Sequence, residues 1–357
     1  MRIALNGLSA LYAWRAIRSG LAPDAMAGPH VDLPVPDPSP AQRWTPRAFD
    51  LDLIGLSGPF AEKSPLFVAV PEARLRIRTA GVTCATYTKL PEGAFVEIGD
   101  GICIACPELV YLEMGRQMSP MVQLLLGCEL CGTYSRDPRD PRDGEVAFGL
   151  RPVTSPQKIA EFARGCGKIH GAAQSREALP HVLQNAWSPM EALTACLLTL
   201  NAGWLGYDLG PVTLNPRIEV GQDATRVPDI LFDGTHLGVN YDGSAHLDER
   251  ARLVDDKRRT RELLASGYAV LPMTSEDLSQ RGGFDAFALQ VMDFLERDEG
   301  RNLRMQRAFL ARKRIQKERQ ELIWSLMPGE RGRRISREQA AAVPEPPRAV
   351  IDAFIPL

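Results

Sequence analysis

No apolar stretch in these 357 residues approaches the roughly 20 that a membrane-spanning helix needs, so no membrane partner is expected. A clean apolar core is also missing ahead of Ala25-Met26-Ala27, a tripeptide that imitates a signal-peptidase site. The preceding residues carry Asn6, Arg15 and Arg18, and a cytoplasmic location is expected. Cysteine is scarce and odd in number, at seven, which argues against a secreted, disulfide-stapled scaffold. Charge of one sign is not in excess: the net charge is −2, and no basic field over the whole chain announces nucleic acid. No internal repeat is evident.

What is present fits an ordinary globular protein. Hydrophobic residues make up 45% and charged residues 24%, and the length suits about two domains of ~150 residues, each able to bury a core without staples. Leu5, Leu8, Leu11 and Tyr12 predict a helix over 4–20. Residues 28–48 are rich in Pro and Asp and predict a loop. From 50 to 105 the runs LDLIGL, LFVAV, LRIR, VTCATY, FVEI and ICIA predict an antiparallel or mixed sheet. Pro107, Pro120 and Pro156 each open a helix, the position where proline is tolerated. The segment RDPRDPRDGE (136–145) predicts a charged surface loop.

From 188 the pattern changes. Ser188-Pro-Met-Glu191 has capping-box spacing before an apolar helix. Three strand candidates follow, PVTLNPRIEV, VPDILF and HLGVNY, then a helix over 248–265, the strand YAVLPM and the helix GFDAFALQVMDFLE. The expected fold class is α/β (α+β overall). The expected layout is a β-rich N-terminal domain with helices (1–150), a helical connector (151–187), an αβββαβ domain (188–298), and a basic helix and tail (299–357). In that last segment, between Arg301 and Arg337, twelve Lys or Arg stand against three Glu, a local +9 that leaves −11 elsewhere. Such a block predicts a polyanion such as DNA as partner. The alternative is a structural helix packed through Leu303, Phe309, Leu310, Ile315 and Leu322.

Acids at strand ends carry the candidate chemistry. Asp229 lies near the start of one strand, in Val-Pro-Asp-Ile-Leu-Phe, and Asp242 ends the next, in Gly-Val-Asn-Tyr-Asp-Gly. A short hairpin would bring both carboxylates to one edge of the sheet, with Glu191 on the helix before it. Converging carboxylates need a cation, and oxygen-only sites suit Mg²⁺, which polarises phosphate and activates water. His246 follows Asp242 closely enough to serve as general acid or base. Lys257, Arg258 and Arg259 are candidates for gripping phosphate. Plainer roles stand beside these: Glu191 as a capping acid only, Asp229 as a turn residue after Pro228, Asp242-Gly243 as a turn, His246 as a helix-entry residue.

Taken in order, Ser188-Pro-Met-Glu191, Asn215-Pro216, Pro228-Asp229, Val239-Asn-Tyr-Asp242-Gly243, His246, Asp255-Asp-Lys-Arg-Arg259 and Gly267-Tyr-Ala-Val-Leu271 resemble the PD-(D/E)XK endonuclease domain of the very-short-patch-repair type. Leu8-Ser-Ala-Leu-Tyr-Ala-Trp14 and the β-rich stretch after it are similar to abortive-infection type IV antitoxin proteins that carry such a domain. The resemblance implies a restriction-endonuclease-like core and a Mg²⁺-dependent DNA endonuclease or nickase. Asp229 and Asp242 would hold the metal, Glu191 would assist through water and His246 would move the proton. Two departures stand out. The family has Glu-x-Asp-Gly where this chain has Asn240-Tyr-Asp242-Gly243, and the winged helix that usually comes first is expected to be missing. The lysine of the wider signature is also absent, its place falling on Asp242, as it is in the very-short-patch branch.

Cys103-x-x-Cys106 and Cys128-x-x-Cys131-Gly132 have zinc-ribbon spacing. ICIAC is an extended run that sends Cys103 and Cys106 to opposite faces, so core thiols are the first expectation and zinc the lesser one. Three functional readings follow: a Mg²⁺-dependent DNA nuclease; a catalytically inactive member that binds nucleic acid or a partner in a defence or toxin–antitoxin system, favoured by Asn240; and a zinc-stabilised scaffold.

Overall fold

The apolar N-terminal segment forms two elements where one helix is predicted. In the computed structural model, which describes residues 2–35, 49–56, 58–220, 224–242, 258 and 260–327, Ile3–Leu5 is a strand (β1) and the helix α1 runs Gly7–Ser19. β1 is buried throughout and pairs on both edges, parallel to β6 (Ile102–Ala105) and antiparallel to β3 (Leu66–Ala69). Pairing on two sides outweighs the helical spacing of Leu5 and Leu8. α1 stops at Gly20, whose φ of +75° lets its N–H reach Ile17 O.

The described residues fall into two compact units, one ending at Val182 and one beginning at Leu183. Both are mixed α/β, and no described helix is long and apolar enough to cross a membrane. In the first unit the described strands form one sheet in the order β2-β5-β6-β1-β3-β4, with β2 at His30–Val31, β4 at Val82–Ala85 and β5 at Phe95–Gly99. Two of the predicted strands are absent. Leu51–Ile54 is a 3-10 turn, and LRIR begins in another (Ala73–Leu75) and continues as irregular chain.

Pro107 and Pro120 open α2 (Pro107–Met114) and α3 (Pro120–Leu130). α3 is buried on every face from Met121 to Leu130, as its uniformly apolar composition requires. α4 (Pro156–Gly165) packs on α2, and α5 (Ala172–Ala178) packs on α2 and α3, so these helices belong to the first unit. Buried Arg15 grips Glu129 with two hydrogen bonds, 2.9 and 2.8 Å. Burial alone would raise the Glu129 carboxyl, but Arg15 and Arg136 together outweigh it and hold the group below its ordinary range. The segment 136–145 is less exposed than its charge predicts. Arg136 is buried beside Glu129 and donates to Pro141 O at 2.8 Å, while Asp137 Oδ1 accepts the N–H groups of Arg139 and Asp140.

The second unit starts with α6 (Pro189–Thr199), capped by Ser188 Oγ on the Glu191 N–H at 3.1 Å. The single strand predicted from PVTLNPRIEV is broken at Asn215-Pro216. β7 (Val212–Leu214) joins the main sheet, whereas β8 (Ile218–Val220) pairs with β9 (Ala224–Arg226) in a separate hairpin. Asn215 has φ +50°, a left-handed turn that Asn tolerates, and Pro216 has no N–H to continue a ladder. The main sheet has the order β12-β11-β10-β7, with β10 at Ile230–Phe232, β11 at Leu237–Asp242 and β12 at Ala269–Thr274. β11 and β12 are parallel, and helical residues 260–265 lie between them in the chain. The helices Ser275–Ser279 and Gly283–Arg297 follow.

The basic segment is two helices, Arg304–Leu310 and Lys313–Leu326, and much of its described charge is used internally. Arg301 donates to Leu209 O (2.7 Å), Arg307 pairs with Asp293 and Glu296, and Arg314 pairs with Glu318 at 2.8 Å. Arg319 is 1% exposed. It meets Asp285 at 2.7 Å, donates to Leu205 O at 2.6 Å and lies 3.7 Å over the Tyr207 ring, whose hydroxyl also donates to Asp285. Over 301–327, therefore, Arg301, Arg307 and Arg319 are bound to protein groups as the structural alternative expects, whereas Arg314 pairs with Glu318 on an exposed face. Arg331, Arg333, Arg334 and Arg337 lie outside the described residues.

Candidate functional site

Three polar residues form a row across the second unit's sheet. Ile230 faces Leu214 on one side and Val239 on the other. One step along, the backbones of Asn215, Asp229 and Asn240 come into register, and Asn240 projects to the face opposite Val239. Asp242, two residues beyond Asn240, projects to that same face and is exposed at the end of β11. The register thus sets Asp242 two residues along β11 from Asn240, the residue opposite Asp229.

Hydrogen bonds tie the row together. Asp229 donates its N–H to Asn240 Oδ1 (3.1 Å), and its Oδ2 accepts the Tyr241 N–H (2.7 Å). The Asn215 N–H reaches Asp229 O at 2.9 Å. Asn215 Nδ2 donates to Asn185 O (2.8 Å) and to Glu191 Oε2 (3.0 Å). Glu191, 7% exposed in the first turn of α6, also accepts the Trp187 N–H at 2.9 Å. Its carboxyl is pushed above the ordinary range by burial, against the opposing pull of the hydrogen bonds from Asn215, Trp187 and Ser188. The Ser188 half of the capping box is present, while the Glu191 carboxylate reaches past the cap residue to the Trp187 N–H and, through Asn215, to the edge of the sheet. Asn215 Oδ1 is buried with no hydrogen-bond partner among the described residues.

Sequence reasoning gave Asn215 no role and did not single out Asn185. Their signal was local: an Asn before a proline and a second Asn at positive φ, 61°, just ahead of the helix cap. It also missed Arg319, Asp285 and Tyr207, which lie far apart in the chain. Arg258 is exposed, with Nε 4.0 Å from Glu262 Oε1. His246, Lys257 and Arg259 lie outside the described residues.

Asp229 and Asp242 offer carboxylate oxygens, the donor type a hard cation requires. Among the described residues no group of three or more His, Cys, Asp or Glu gathers so as to hold a metal. The four cysteines of the zinc-ribbon spacing lie on three elements of the first unit. Cys103 is in β6, Cys106 is the N-cap of α2, Cys128 is in α3 and Cys131 is its C-cap, and all are buried. Burial raises the Cys106 and Cys131 thiols, with Glu108 adding to the effect on Cys106 and Cys128 to that on Cys131. No protein-family model, no curated protein and no solved structure matches this chain.

Proposed function

We propose that the second unit is a nuclease-like DNA-binding domain with a restriction-endonuclease-like αβββαβ core, acting as a metal-dependent endonuclease or nickase with an impaired site. The observation that carries this reading is the register of Asp229 opposite Asn240, two residues from Asp242, tied through Asn215 to Glu191. The order α6, β7, β10, β11, helical 260–265, β12 supports it, with the β8–β9 hairpin as an insertion. Asp229 and Asp242 would hold Mg²⁺. When bound, the ion supplies the charge that polarises a phosphodiester and acidifies a water. Glu191 holds the Asn215 amide in place, and Asp229 is oriented by the Tyr241 N–H. His246 would carry the proton. Arg258, with Lys257 and Arg259, would grip the phosphate backbone.

One observation favours a second reading, a catalytically inactive member that holds nucleic acid or a partner in a defence or toxin–antitoxin setting. Asn240 brings no charge, and its oxygen is already occupied by the Asp229 N–H. Plasmid nicking in Mg²⁺ and Mn²⁺, paired with a gel-shift assay, separates the two. Weak nicking that Asp229→Ala abolishes is expected. DNA binding without nicking under either metal moves the conclusion to the inactive reading, and neither binding nor nicking removes both.

A further inference from the structure

We draw no further inference here: the strongest candidate, the Asn6–Tyr87–Glu113 side-chain cluster at the N-terminus of α1, carries nothing because its donors close on the Glu113 carboxylate together with the Gly7 N–H, and the Asn6 Oδ1 left without a partner among the described residues is enclosed by protein and open to no ligand.

Discussion

Replacing Asn240 by Glu restores the residue type that the nuclease resemblance implies, and the sheet register allows its consequence to be calculated. Asn240 lies directly opposite Asp229, and such a cross-strand pair sets Cβ atoms about 5 Å apart. Two carboxylates at about 5 Å repel by about 0.8 kcal/mol at the dielectric constant of water and by about 3 kcal/mol at an effective constant near 20. Half-buried Asp229 lies between those limits. The Asp229 N–H also loses its neutral amide partner, a hydrogen bond of about 1 kcal/mol if the longer Glu cannot replace it. In chelator, Asn240→Glu should therefore be roughly 1–4 kcal/mol less stable than the native chain. A cation that binds the new pair reverses this, returning about 2.7 kcal/mol at 100 times its Kd. The assay is urea unfolding in chelator and across a Mg²⁺ titration, run beside plasmid nicking of native, Asn240→Glu and Asn240→Glu/Asp229→Ala proteins. Mg²⁺ should stabilise Asn240→Glu more than the native chain and raise its nicking, and the added Asp229→Ala should erase both gains. Equal stability of the native and Glu proteins in chelator, or an equal Mg²⁺ response, would refute the reasoning.

Other outcomes follow from buried charge and burial. Arg319→Ala leaves Asp285 without its cation and removes the stack on Tyr207, so unfolding free energy should drop by about 3–5 kcal/mol; a loss under about 1 kcal/mol would show the network to be incidental. Glu191 has a raised folded pKa, so the folded state holds its proton longer than the unfolded chain does. Its contribution is favourable at acid pH and is lost as pH rises from the ordinary carboxylate range through the folded pKa. The stability of Glu191→Gln relative to native protein should accordingly improve over that rise, and denaturation curves at several pH values would expose a flat or opposite trend. All seven cysteines are thiols, and only Cys84 and Cys166 are half-buried, with the Cys166 thiol pushed by burial to about 11. A thiol reagent at neutral pH should label the native chain slowly and at those two sites first, with the other five reacting on unfolding; rapid labelling at Cys103, Cys106, Cys128 or Cys131 would contradict their burial.

Local rules made the helix starts legible in the sequence. Ser188 with Glu191, and proline at 107, 120, 156 and 189, mark helix entries because the cap and the missing N–H act within a single turn. Short β-branched runs bounded by turn residues likewise marked β3, β4, β5, β6 and β12. The placement of Asp229 and Asp242 at strand ends was readable for the same reason. What the sequence could not decide depended on partners far along the chain. Ile3–Leu5 is a strand because β6 and β3 pair with it, about a hundred and about sixty residues away. Asn215 joins the acidic row only once β7 lies beside β10, and Arg319 becomes a core residue only when Asp285 and Tyr207 fold around it. In sequence Arg319 is one cation in a basic block; its burial is decided by whether the fold supplies a carboxylate and carbonyls to replace its water.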